Sequence, residues 1–124
     1  MNNMSLENTL PYGEFKKRYN IELNEQQEKA LLAVDGAHAL LAVPGSGKTT
    51  VLVARLGYMM ICKGISPRNV LAITYNKAAA AEMRERFSAK FGARLCPEFR
   101  TINSLALKIY TEYCRSAEHR VWVL

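Results

Sequence analysis

Aspartate is nearly missing from this sequence: Asp35 is the single one, and no Asp-Glu pair occurs anywhere along the chain. A paired carboxylate able to hold a divalent cation and aim an attacking water is therefore not supplied by these residues. Cysteine is sparse too. Cys62, Cys96 and Cys114 are odd in number, widely spaced and without a Cys-x-x-Cys, which excludes a disulfide framework and a zinc ribbon and points to reduced thiols in a cytoplasmic protein. No apolar run approaches the ~20 residues a membrane-spanning helix requires. The first ten residues carry one charge, Glu7, and have no secretory-leader pattern. They are expected to form a mobile arm.

What remains is a 124-residue chain, 49% hydrophobic, enough for one domain or part of one. Its net charge of +6 is unevenly spread. Residues 1–62 hold six basic and six acidic side chains, whereas residues 63–124 hold eleven basic against five acidic. The excess suits a polyanion such as nucleic acid, or a solvated basic face such as Arg84, Arg86, Lys90 and Arg94.

Residues 42 to 50 read Ala-Val-Pro-Gly-Ser-Gly-Lys-Thr-Thr, after the apolar run 37–43 and before the helical pattern Val51-Leu52-Val53-Ala54-Arg55-Leu56. A buried strand, a glycine-bearing turn and a helix opening on Lys-Thr make the phosphate cradle of P-loop nucleotide-binding proteins. Gly45 and Gly47 allow backbone N–H groups to approach anionic oxygens. Pro44, Ser46 and Thr50 complete the loop. Lys48 is placed to reach the β/γ-phosphates and the Thr49 hydroxyl to ligate Mg²⁺, so these two are the catalytic candidates and ATP the expected ligand. The strict pattern wants glycine where this chain has Ala42.

The rest of the chain alternates helix and strand. Phe15 to Tyr19 reads as a helical turn. Asn24 reads as the cap of a helix with Gln27 at its third position, ended by Asp35-Gly36. The run 38–43 lacks polar alternation and predicts a strand covered on both faces. The next helix is expected to reach about Lys63 and stop at Gly64. Val70–Thr74 reads as a second buried strand. Asn76 caps a helix over 77–91 that Gly92 closes, and an extended piece near Phe99–Thr101 leads to a helix from about Ser104 to Arg115. Such alternation predicts an α/β class with parallel pairing.

Four segments in order resemble superfamily 1 helicases of the UvrD/Rep/PcrA kind. Leu23-Asn24-Glu25-Gln26-Gln27-Glu28-Lys29-Ala30 resembles their Q motif, and Ala42 to Thr49 their motif I, in which a leading Ala is usual. Leu71 through Arg86 resembles motif Ia with its helix, and Thr101-Ile102-Asn103-Ser104-Leu105-Ala106-Leu107 resembles motif Ib. The resemblance implies the N-terminal part of a RecA-like motor lobe over residues 21–124, preceded by an arm over 1–20. It also implies that Gln27 reads the adenine edge, its amide being both donor and acceptor; the same residue would serve equally as a capping partner of Asn24. Tyr75 takes the aromatic position that stacks on single-stranded DNA, or else packs on the next helix. Thr74, Asn76, Lys77, Thr101, Asn103 and Ser104 would contact DNA, or act as plain helix caps. Which of Asn76 and Lys77 takes the contact stays open, because Tyr75-Asn76-Lys77 sits one place earlier than the family pattern. Thr50 replaces a basic residue, and Asn103 a histidine.

The complete enzyme so implied couples ATP hydrolysis to translocation on single-stranded DNA and duplex unwinding, with 3′ to 5′ motion the family's habit. Its partners are single-stranded DNA or junctions and a second motor lobe. The acidic motif, the arginine fingers and the second lobe lie beyond residue 124, and the apolar ending Val121-Trp122-Val123-Leu124 reads as part of a longer chain. The expectation is a portion that binds nucleotide without turning it over. An inert-P-loop nucleic-acid module and a small P-loop kinase or GTP-binding protein are the alternatives; no Asn-Lys-x-Asp is present to read guanine.

Overall fold

A computed structural model describes residues 9–41 and 47–117. The elements run α1 (Tyr12–Arg18), α2 (Glu25–Leu32), α3 (Lys48–Ile61), β1 (Leu71–Thr74), α4 (Lys77–Phe91), β2 (Glu98–Thr101) and α5 (Ile102–Ser116). The chain is mixed α/β. Strands β1 and β2 pair in parallel with Leu71 opposite Glu98 and Thr74 opposite Thr101. Parallel strands need a long crossover, and α4 supplies it.

Helix boundaries follow local chemistry. Asn24 and Gln27 form a reciprocal capping box: the Asn24 side-chain oxygen accepts from the Gln27 amide at 2.9 Å, and Gln27 Oε1 accepts from the Asn24 amide at 3.0 Å. The Asn76 side chain caps α4 by accepting from the Ala79 amide at 2.8 Å, and Gly92, at φ +92°, closes it. Helix α5 starts at Ile102, two residues before the expected Ser104, because the Thr101 hydroxyl is the cap, accepting from the Ser104 amide at 3.1 Å. Helix α2 ends at Leu32, ahead of Asp35-Gly36, and α3 ends at Ile61 rather than Lys63, with Gly64 turning the chain at φ +69°.

The core lies between α1, α3, α4 and β2. Phe15, from the segment expected to form an arm, is fully buried, as are Leu31 and Phe87, with Phe91 and Phe99 nearly so. Phe15 and Phe91 stack with centroids 5.8 Å apart and planes within 6°, a geometry that adds to the area term. Arg18–Ile21 return the chain so that Tyr19 also meets Phe91, at 4.9 Å. Cys114 is buried and Cys62 and Cys96 half-buried, all three free; burial pushes the Cys62 thiol up to about 11, which keeps it protonated and unreactive.

Two expectations are corrected. Residues 38–41 form no strand, and 42–43 lie outside the described residues. An all-apolar strand must be hydrogen-bonded and covered on both faces, and no described segment pairs with this one: Leu41 is 94% exposed. Second, β1 is not covered on both faces. Leu71 and Ile73 are about half exposed while Ala72 and Thr74 turn inward, because among the described residues β1 has β2 as its one strand neighbour, with α4 packed against it. Helix α5 likewise leaves an apolar stripe in solvent, Ile102, Ile109, Tyr110 and Tyr113. No helix among the described residues is long and apolar enough to cross a membrane.

Candidate nucleotide and nucleic-acid sites

Gly47 caps α3 with φ +79° and ψ +20°, a left-handed conformation that glycine adopts without a steric penalty. A Cβ built there would stand 3.2 Å from Gln27 Nε2. The capping-box residue of α2 thus leans over the turn that opens α3. Its carbonyl oxygen accepts from the Asn24 amide, so the structure shows Gln27 in its capping role. Lys48 is exposed at the first position of α3, Thr49 is half-buried behind it and Thr50 is exposed. Pro44, Gly45 and Ser46 lie outside the described residues. The start of α3 leaves backbone N–H groups without intrahelical partners, and the helix dipole favours an anion there.

Helix α2 is braced from behind. The Tyr12 hydroxyl donates to Glu28 Oε1 at 2.6 Å and Lys16 Nζ to the same oxygen at 2.8 Å. The Lys16 ammonium, then the Tyr12 hydroxyl, hold the Glu28 carboxyl below its usual range. Tyr12 is pushed upward, by burial first and by its bond to Glu28 second.

A second site forms where β1 and β2 end. Because Thr74 and Thr101 are register partners, the segments that follow them emerge side by side, at the carboxyl ends of parallel strands where open α/β sheets bind ligands. Tyr75, Asn76, Lys77, Thr101, Asn103, Ser104 and Leu107 line one open cleft of about 480 Å³. Thr74 is outside that lining; its hydroxyl donates to the Asn76 carbonyl at 3.1 Å. Within the cleft the side chains divide. The Asn76 and Thr101 oxygens serve helix caps, and the Ser104 hydroxyl accepts from Arg100 Nη1 at 2.9 Å. Tyr75, 91% exposed, and Lys77 and Asn103, also exposed, face solvent.

Arg84 is exposed, as expected of a solvated face, and also donates to the Phe99 carbonyl at 3.1 Å, tying α4 to β2. Arg86 pairs with Glu82 at 2.9 Å. Arg100 and Lys108 both bond Glu98, and hold its carboxyl below the usual range, Arg100 most strongly. Leu107, read in the sequence only as part of the motif Ib segment, also lines the cleft. Arg55 escaped the sequence reading; it lies seven residues after Lys48 on α3, and the helical repeat puts i and i+7 on one face, which is the signal that would have found it.

The model of the UvrD/REP helicase N-terminal domain family matches residues 23–121. The ATP-dependent DNA helicase PcrA of Bacillus subtilis is 46% identical over 70 residues, covering 56% of this chain and 10% of that protein. The putative ATP-dependent DNA helicase YjcD of the same organism is 42% identical over 73 residues, covering 59% and 10%. PcrA of Staphylococcus aureus is 43% identical over 70 residues, covering 56% and 10%. The chain spans about a tenth of the length of these relatives. With Gln27, Gly47 and the two strand ends disposed as above, and a family match over most of its length, this chain belongs to the UvrD/REP helicase N-terminal domain family.

Proposed function

We propose that the chain is the nucleotide-binding and part of the DNA-gripping portion of an ATP-dependent DNA helicase, within a RecA-like lobe over residues 21–124. The observation that carries the nucleotide reading is the juxtaposition of Gln27 Nε2 with the left-handed Gly47 at the head of α3. A side chain at residue 47 would occupy the space between the two, so the cradle fits a triphosphate brought against bare backbone. Gly45 to Gly47 would supply backbone N–H groups after the turn that Pro44 opens, Lys48 an ammonium for the terminal phosphates and Thr49 one hydroxyl ligand for Mg²⁺. Thr50 would add a further polar contact, and Gln27 would pair with the adenine edge. No cluster of three His, Cys, Asp or Glu side chains forms among the described residues, so the Thr49 hydroxyl would be this chain's contribution to holding Mg²⁺ beside the phosphates.

Mg²⁺ withdraws charge from the phosphates when bound; this chain's own residues hold and orient. With one aspartate and no Asp-Glu pair, none of them positions an attacking water. The purified chain is expected to bind Mg-ATP and to give no DNA-stimulated phosphate release. Measured turnover approaching ~1 s⁻¹, the lower end of ordinary enzymes, would remove the division of labour proposed here.

The cleft between Tyr75 and Asn103 is the proposed path of single-stranded DNA, at a single-strand segment or a junction, on which a cytoplasmic helicase serving DNA repair would act. The Asn76 oxygen serves its cap; the exposed Lys77 ammonium and Asn103 amide would meet phosphates, and the exposed Tyr75 ring would stack on a base. Stacking contributes ~1–3 kcal/mol per base and demands no sequence. Tyr75→Ala is therefore expected to weaken oligonucleotide binding ~5–100-fold at unchanged melting temperature, read by fluorescence anisotropy. Equal affinity of both proteins for mixed-sequence single strands would remove this path.

A further inference from the structure

We infer that Arg55 is a positioning residue that locks the helix bearing Gln27 to the helix bearing Lys48, so that recognition of the base depends on it. The inference rests on the nucleotide reading above and deepens it. Arg55 Nη2 donates to the carbonyl of Ala33, the residue that caps the C-terminal end of α2. Carbonyls at a helix end lack intrahelical donors, and a cation there complements the dipole. The guanidinium lies along the 490 Å³ cleft between α2 and α3 that Lys48 also lines. Its Nε is buried and finds no partner among the described residues. A half-buried guanidinium with its Nε enclosed and its Nη2 on a helix-end carbonyl fits a fixed spacing between two elements better than a solvated charge.

The geometry explains why spacing matters. Helix α2 is eight residues long; Gln27 stands beside Gly47 near its start, Glu28 and the buried Leu31 hold its middle, and Ala33 on Arg55 holds its finish against α3. The Arg55 bond resists a roll of α2 on α3. Without it, a roll of about 10° moves a side-chain amide ~6 Å from the helix axis by ~1 Å. That displacement takes an amide out of hydrogen-bonding range of a base edge while leaving the phosphate cradle, which belongs to α3, in place. Arg55 would then act on base affinity and not on phosphate affinity.

The test titrates Mg-ATP, Mg-GTP and inorganic tripolyphosphate against the wild-type chain, Arg55→Met and Arg55→Lys. Arg55→Met is expected to lose ~5–10-fold in ATP affinity, to lose its preference for ATP over GTP, and to keep tripolyphosphate affinity within about twofold. Arg55→Lys, which retains one donor and the charge, should recover part of the preference. Retained ATP preference in Arg55→Met, or equal losses for ATP and tripolyphosphate, overturns the inference and leaves the nucleotide reading standing. A wild-type chain indifferent between ATP and GTP removes the role of Gln27 and this inference with it. Should Arg55→Met fail to fold, Arg55→Lys carries the same three-ligand comparison, with partial loss of preference as the supporting result.

Discussion

Lys48→Ala is expected to weaken Mg-ATP binding roughly 100-fold while leaving the melting temperature of the free protein unchanged. The first half follows from removing a charge-assisted contact worth ~2–3 kcal/mol. The second follows from position: Lys48 is exposed at the head of α3 and enters no ion pair among the described residues. The buried face of α3 is made by Val51, Val53, Ala54, Tyr58 and Met60, none of which it supports. At a ligand concentration about 100 times the wild-type Kd, the ~2.7 kcal/mol of ligand-induced stabilisation should fall to ~0.4 kcal/mol. Thermal shift with and without Mg-ATP reads this directly. Undiminished stabilisation in the variant would sink the P-loop assignment.

The second large effect concerns the core behind the site. A Cβ added to Gly57 would lie 2.3, 2.6 and 2.7 Å from three ring carbons of Phe91, far inside van der Waals contact. Phe91 cannot step aside, because Phe15 stacks on it and Tyr19 and Phe87 flank it at 4.9 and 5.0 Å. Glycine is here the residue that lets α3 and α4 approach. Gly57→Ala gains ~1 kcal/mol of helix propensity, yet overpacking should outweigh it and leave a net loss of ~1–3 kcal/mol, or about 3–10 °C in Tm. Phe91→Leu in the same chain should restore part of that loss, a coupling that a double-mutant cycle measures. A Gly57→Ala protein as stable as wild type would mean the two helices are free to separate.

Much of this architecture was legible in the residues because its signals are local. Asn76 and Gly92 bound α4 at the expected positions, since a capping side chain and a left-handed glycine act within one turn. The Asn24–Gln27 box was legible for the same reason. The strand expected over 38–43 was not, because an apolar run states how much burial it requires and not which neighbour supplies it. The start of α5 was misplaced because Thr101 and Ser104 are equally good caps in sequence, and only the end of β2 decides between them. The site divides likewise. Gly47 and Lys48 announce themselves by spacing, and Tyr75 to Lys77 and Thr101 to Ser104 by resemblance. Their meeting in one cleft depends on the β1–β2 register, which no local pattern contains; the spacing of Arg55 from Lys48 was visible on α3, but its bond to Ala33, 22 positions away, was not.

That register has a mechanical corollary. Two parallel strands of equal length, level at both ends from Leu71–Glu98 to Thr74–Thr101, share a tug along their axis among all rungs of the ladder simultaneously, whereas a sideways pull would unzip them one rung after another. The lips on which Tyr75 and Asn103 sit are thus stiff in the lengthwise direction and compliant across it.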